Sequence, residues 1–134
     1  MTREQARELL MQMVFQMDAQ NDFSESSKEV FLKSFPIEGK EQKYIDSMYS
    51  VISENIEKID EVIAKSSNNW KPERMAKVDL AICRVSVAEL LFRDDIPDAV
   101  SINEAVNLAK KFGTDTSQKF VNGLLGKAAE LKNE

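Results

Sequence analysis

Apolar residues recur at helical spacing along nearly the whole chain, and no alternating pattern typical of strands stands out. In the first twenty residues this spacing predicts a helix whose core stripe continues toward the N-terminus through Arg3 and Arg7. Phe15 lies off that stripe, on a second face of the same helix. The apolar members of the stripe are Leu10, Met13, Val14 and Met17. The pattern predicts an all-α protein.

Two more helices are predicted before residue 70. A short one around Val30 ends near Pro36, because proline does not continue a helix, and Gly39 marks the following turn. A long helix then runs roughly over 40–65. The polar run Ser-Ser-Asn-Asn at 66–69 interrupts the pattern. We therefore expect one domain over 1–134, built from an N-terminal helical subdomain (1–68) and a C-terminal one (69–134).

The segment from Met75 to Phe92 is apolar on almost every face, which predicts a helix in the middle of a bundle. Pro72 suits a first helical turn just before it. Three charged residues interrupt this apolar segment, and each needs an oppositely charged or hydrogen-bonding partner wherever it is buried. These residues are Asp79, Arg84 and Glu89. We interpret them as structural ion pairs or partly exposed positions.

Two helices are predicted after Pro97. Ser101 followed by Glu104 matches a capping box that would open the first of them. Gly113 is expected to end it. Thr114 or Asp115 would then cap the last helix, which runs to about residue 131.

Charge is distributed unevenly along the chain. The 134 residues include 18 basic and 23 acidic side chains, a net charge of −5, so a nucleic-acid site would have to be a local basic patch. Residues 110–127 hold four lysines and one acid, with two phenylalanines near a helix start, and such a mixture is typical of single-strand binding. The side chains are Lys110, Lys111, Lys119, Lys127, Asp115, Phe112 and Phe120. A solvated charged face over two core phenylalanines is the alternative.

The chain offers little chemistry for catalysis. It has no histidine, one cysteine (Cys83) and no phosphate-cradling glycine loop, so no enzyme, metal site or cofactor is expected. The single cysteine suits a reducing compartment. A signal-like start and a run of about 20 apolar residues are both missing from the sequence. We expect a soluble cytoplasmic protein that does not enter a membrane.

Five segments of the second half carry a specific family resemblance in both order and spacing. They are 70–84 (WKPERMAKVDLAICR), 95–97 (DIP), 101–106 (SINEAV), 108–113 (LAKKFG) and 119–125 (KFVNGLL). In these segments, and more loosely in the N-terminal half, the chain resembles the NusB family of bacterial transcription antitermination factors.

The resemblance implies a fold of two packed helical bundles and a non-enzymatic adaptor that binds RNA. Its implied partners are single-stranded boxA RNA of ribosomal RNA operons and NusE, a small-subunit ribosomal protein. The pair would then join an antitermination complex on RNA polymerase. Family members include homodimers and monomers, so the oligomeric state stays open.

Residue by residue, the resemblance implies two surfaces. The RNA surface comprises Arg3, Arg7, Lys110, Lys111, Phe112, Thr116, Lys119 and Phe120. Thr116 replaces an acid common in relatives, and Glu4 interrupts the arginines that many relatives carry near the N-terminus. The surface toward NusE comprises Phe15 and Asp79, with Phe15 at a position where tyrosine is common.

Two other functions are compatible with the pattern. The same fold occurs as an RNA-targeting helical module of some RNA methyltransferases, but here no cofactor-binding α/β domain accompanies it, which favours a stand-alone factor. A purely protein-binding helical module would use its acidic surface to dock a basic partner and would leave Lys119 and Phe120 dispensable.

Overall fold

The computed structural model describes residues 1–68 and 70–134, and within them the chain forms seven α-helices and no strand. The helices are α1 (Arg3–Gln20), α2 (Glu25–Leu32), α3 (Gly39–Glu54), α4 (Ile56–Ser66), α5 (Lys77–Phe92), α6 (Asp98–Phe112) and α7 (Ser117–Lys132). A short 3-10 turn, Pro72–Arg74, precedes α5. The predicted all-α class is confirmed.

Helix α5 is the centre of the fold. Every residue from Asp79 to Leu90 is buried, and α5 packs against α1, α3, α4, α6 and α7. A helix that is apolar on all faces is stable only in such a position, because each face then meets another helix. One buried core extends through both halves of the chain. The division into subdomains at 68/69 stays a prediction, and Asn69 lies outside the described residues.

The charged residues within α5 differ in how they are satisfied. The Arg84 guanidinium donates to both carboxylate oxygens of Asp60 at 2.9 and 2.8 Å and also pairs with Asp18 at 3.1 Å. Glu89 accepts hydrogen bonds from the side chains of Arg7, Tyr44 and Ser101. The interpretation as structural ion pairs is confirmed for Arg84 and Glu89. In the described part of the chain, Oδ1 of buried Asp79 has no hydrogen-bond partner.

The prediction of one long helix over 40–65 is wrong, because the segment forms two helices, α3 and α4. Asn55 separates α3 from α4, with φ −127° and ψ 22°, and its side-chain amide donates to the Val51 carbonyl at 2.8 Å. An asparagine side chain competes for backbone hydrogen bonds in this way, which favours a helix end. The apolar spacing continues across the break, so the pattern alone did not show it.

The predicted capping box at Ser101 is also wrong. Helix α6 begins three residues earlier, at Asp98, directly after Pro97. The Ser101 hydroxyl is buried and donates to Glu89 at 2.8 Å, while Glu104 pairs with Arg7 at 3.2 Å. Both side chains that the pattern assigned to a local cap therefore hold distant elements together.

The start of α7 departs slightly from the prediction. Its N-cap residue is Thr116, not Thr114 or Asp115.

None of the helices within 1–68 and 70–134 is long and apolar enough to span a membrane.

Candidate nucleic-acid interface

The turn between α6 and α7 is tight, and its backbone sets the position of the first α7 residues. The Thr114 N–H donates to the Ser117 hydroxyl at 2.9 Å, and the Ser117 N–H donates back to the Thr114 carbonyl at 3.1 Å. Gly113 allows this approach, because a Cβ there would lie 2.5 Å from the Ser117 side chain. Lys119 and Phe120 then follow on the first turn of α7.

Lys119 and Phe120 line an open groove of about 620 Å³ between α7 and the C-terminal end of α4. Within the described part of the chain, no acidic side chain lines it. The other lining residues are Ser66, Ser67, Asn68, Trp70, Thr116, Gly123, Leu124 and Lys127. The groove combines lysine ammonium groups with aromatic side chains, the two ingredients of a site for single-stranded nucleic acid.

The lysines predicted at the RNA surface differ in availability. Among the described residues, Lys110 and Lys119 have no ion-pair partner and are exposed. The Lys111 ammonium pairs with Glu8 at 2.8 Å and lies 5.3 Å from the centre of the Phe112 ring. Exposed pairs of this kind are weak, so Lys111 can be redirected toward a phosphate at little cost.

Phe112 does not share the groove of Phe120. It lines a separate apolar depression of about 190 Å³, together with Phe15 and Val78. The remaining lining residues are Met11 and Gln12. The structure therefore brings one predicted RNA residue, Phe112, next to one predicted protein-interface residue, Phe15.

Arg7 differs from the exposed basic residue that the sequence suggests. Its guanidinium donates to Glu89 at 2.9 Å and Glu104 at 3.2 Å, and its side chain is only 5% exposed. Although burial opposes its charge, neighbouring Tyr44 and the two carboxylates raise the pKa of Arg7. The charge of Arg7 is thus neutralised inside the protein, and a phosphate could reach it only if these pairs broke.

Arg3 keeps part of its guanidinium available. It donates to Glu41 at 2.8 Å and lies 4.2 Å from the centre of the Tyr44 ring, yet its side chain is 35% exposed. Helix α1 begins here in a capping box made by Thr2 and Gln5, which was not among the predicted helix starts. Of the two N-terminal arginines predicted at the RNA surface, only Arg3 is therefore accessible to a ligand.

The two residues predicted to face a protein partner are also unlike each other. The Phe15 side chain is 37% exposed, beside the partly buried Val78. Asp79 is buried in the first turn of α5, where the helix dipole favours a negative charge. It is therefore not the freely exposed acid that a docking role by charge alone would require.

Three residues outside the predicted set, one aromatic and two basic, lie at or beside the groove that Lys119 and Phe120 line. Trp70 lines the groove of Phe120, and Lys71 and Arg74 line a neighbouring depression of about 320 Å³ with Trp70 and Asn68. The local sequence contains no signal for Trp70, because it lies 50 positions before Phe120 and reaches the groove only when α4 and α7 pack. In the part of the chain that the structure describes, no group of three potential ligand side chains could hold a metal ion.

Comparison with known proteins gives a consistent result. The model of the NusB family matches residues 4–130. A transcription antitermination protein NusB from Natranaerobius thermophilus is 44% identical over 140 residues, covering 100% of this chain and 99% of the relative. T. maritima NusB superposes with a TM-score of 0.88 at 31% identity, over 97% of this chain and 92% of that one.

A second solved structure is similar over nearly the whole chain. It is a crystal structure of antitermination factors NusB and NusE in complex with dsRNA, with a TM-score of 0.83 and 25% identity. The match covers 98% of this chain and 99% of that one. On the family match, the identity and the shared helical fold, the chain belongs to the NusB family.

Proposed function

We propose that this chain is a non-enzymatic adaptor in transcription antitermination. It binds single-stranded boxA RNA of ribosomal RNA operons together with the ribosomal protein NusE, and the pair joins an antitermination complex on RNA polymerase in the cytoplasm. One observation carries the RNA part of the proposal: on a chain whose net charge is −5, Lys119 and Phe120 line a groove to which the described residues contribute no acid.

The RNA surface in this proposal consists of the α6–α7 end of the molecule and Arg3. Lys110 and Lys119 contact phosphates, Thr116 lies at the start of α7, and the ring of Phe120 stacks on a base. Lys111 joins them when it leaves Glu8. Arg7 contributes indirectly, because it joins α1 to α5 and α6 and so holds Arg3 in place.

The NusE surface in this proposal is the apolar depression around Phe15. Phe15, Val78 and Phe112 offer apolar area that a partner can cover, and exposed aromatic side chains often anchor interfaces. The acidic body of the chain suits a basic ribosomal protein, and the acid Asp79 directly follows Val78 in the first turn of α5. A solved relative in complex with NusE and dsRNA supports NusE and RNA as the classes of partner.

The test is an RNA titration with and without the partner. Few phosphates can be neutralised by this surface, so the chain alone should bind weakly, and each phosphate contact on a single strand contributes about 0.7 to the salt slope. NusE should tighten RNA binding by about 1–3 kcal/mol, and linkage requires RNA to tighten the protein pair equally. Fluorescence anisotropy of labelled boxA RNA at ~150 mM salt, with and without NusE, measures the tightening, and repeating it from ~50 to ~200 mM salt gives the salt slope.

Variants give the titration its specificity. Phe120→Ala should remove about 1–3 kcal/mol of stacking, and Lys119→Ala should lower the salt slope by about 0.7. Lys43→Ala, an exposed lysine on α3, is the matched control. A boxA duplex tested beside the single strand decides which form is bound. Wild-type affinity in both folded groove variants contradicts the RNA surface, and equal affinity with and without NusE contradicts the adaptor mechanism.

A further inference from the structure

Trp70 is unusually exposed for a tryptophan. It follows α4 and precedes the 3-10 turn, and 55% of its surface is accessible. A large apolar ring in water is unfavourable, so such exposure commonly marks a binding surface. Trp70 is also the only tryptophan in the chain.

The groove next to Trp70 is suited to a flat ring. Phe120 lines it from α7, and Gly123 leaves it open, because a Cβ there would meet no atom within 4 Å. Ser66 and Ser67, both buried, form the floor of the groove at the end of α4.

Positive charge lies on both sides of the Trp70 ring. Lys119 and Lys127 line the groove on one side, and Lys71 and Arg74 line the smaller depression on the other. Lys127 has only a long pair, 3.6 Å, with exposed Glu130. Within 1–68 and 70–134, Lys71 and Arg74 have no ion-pair partner, and neither depression is lined by an acid. Four cations around two aromatic rings match a nucleic-acid strand better than a neutral ligand.

We propose that this groove is a second base-stacking subsite for single-stranded RNA. An unpaired base lies against the indole of Trp70, next to the base that stacks on Phe120, and the strand continues past Lys71 and Arg74. The subsite rests on the RNA-binding function proposed above and adds a nucleotide position to it. It lengthens the RNA path from the α6–α7 turn to the residues that precede α5.

The single tryptophan makes the subsite directly measurable. Stacking of a base on an indole quenches its fluorescence, so titration with unlabelled single-stranded boxA RNA in the presence of NusE should quench Trp70. The quenching should saturate over the same concentrations as the anisotropy change of labelled RNA. A duplex of the same sequence should quench much less, because its bases are already paired and stacked.

Substitutions test whether the contact contributes affinity. Trp70→Ala should weaken RNA binding roughly 5- to 150-fold, and Trp70→Phe should retain most of the affinity, since a ring remains. Lys71→Ala combined with Arg74→Ala should lower the salt slope by about 1.4 for two phosphates. Phe35→Ala, which removes another exposed ring (40%) outside the groove, should leave RNA binding unchanged.

The outcomes separate the subsite from the function it rests on. If labelled RNA binds to Trp70→Ala with wild-type affinity, or if RNA binds without quenching the wild-type fluorescence, the subsite is wrong and the proposed function stands. If RNA binds to neither the wild type nor its complex with NusE, both are wrong. Helix content by circular dichroism shows that each variant is folded, and quenching in the wild type tests the subsite independently of any variant.

Discussion

The Arg7 guanidinium donates to the Glu89 carboxylate at 2.9 Å and so joins α1 to α5 across 82 positions of sequence. Both side chains are almost completely buried, at 5% and 0% exposure. Glu104 on α6 completes the pairing of Arg7 at 3.2 Å. Three helices thus meet at one buried charge network.

Replacing Arg7 should therefore lower the free energy of unfolding. Arg7→Met leaves Glu89 buried without its main counter-charge, which costs about 3–5 kcal/mol of unfolding free energy. The matched control is Arg3→Ala, whose partly exposed pair with Glu41 should cost at most about 1 kcal/mol. Urea denaturation measures both. If Arg7→Met unfolds at the same urea concentration as the wild type, the network does not hold the helices together.

Gly113 is expected to be essential for the α6–α7 turn. In Gly113→Ala, the new Cβ would lie 2.5 Å from the Ser117 Cβ and 2.8 Å from the Ala109 carbonyl oxygen, so the backbone must shift. We expect a loss of about 1–3 kcal/mol and weaker RNA binding. Gly126→Ala, in the interior of α7 with open space around it, should instead stabilise by about 0.5–1 kcal/mol. Thermal denaturation should show a lower melting temperature for Gly113→Ala and a higher one for Gly126→Ala. If both variants shift the melting temperature equally, the steric argument is wrong.

Asp95 should titrate at unusually low pH. Arg93 donates two hydrogen bonds to its carboxylate, each 2.9 Å long, and they lower the pKa of Asp95 from 3.8 to about 2. A lowered pKa stabilises the folded state above the unfolded-state pKa of about 4, and this contribution is lost as the pH falls through about 2. NMR titration of the carboxyl carbon should show this, and Arg93→Ala should return the pKa toward 3.8. A wild-type pKa already near 3.8 would contradict the assigned pairing.

The shared depression of Phe15 and Phe112 leads to a prediction about partner binding. Phe15→Ala should weaken NusE binding by at least about 1 kcal/mol and leave binding of RNA alone unchanged. Phe112→Ala should behave in the same way, in contrast to Phe120→Ala. Calorimetry with NusE and anisotropy with RNA separate the two effects, and Phe35→Ala controls for loss of an exposed ring. If Phe112→Ala lowers only RNA binding, Phe112 belongs to the RNA surface.

The helices were predictable where local pattern and burial agree. The all-round apolar run of α5 demanded a central position, and the structure buries every residue from Asp79 to Leu90. The prediction failed where a side chain could hydrogen-bond either to its own helix end or to a distant helix. Ser101 and Glu104 have the spacing of a cap, yet they hydrogen-bond to Glu89 and Arg7, and spacing cannot distinguish a local partner from a distant one.

The candidate surfaces show the same division. Lys119 and Phe120 were found because charge and aromatic residues lie together in sequence. Trp70 joins them only in space, since α4 and α7 must pack before the end of one lines a groove with the other. The burial of Arg7 escaped prediction for the same reason, because its partners Glu89 and Glu104 are far away in the chain.

The sequence by itself determined the helical class, the central place of α5 and the local basic segment at 110–127, since each depends on the spacing or composition of neighbouring residues. Only the tertiary structure decided which charges remain available. Arg7 is neutralised by Glu89 and Glu104, whereas Lys119 meets no carboxylate in the described chain. The physical reason is that an ion pair depends on distance in space, and the distances between side chains remote in sequence exist only once the helices have packed.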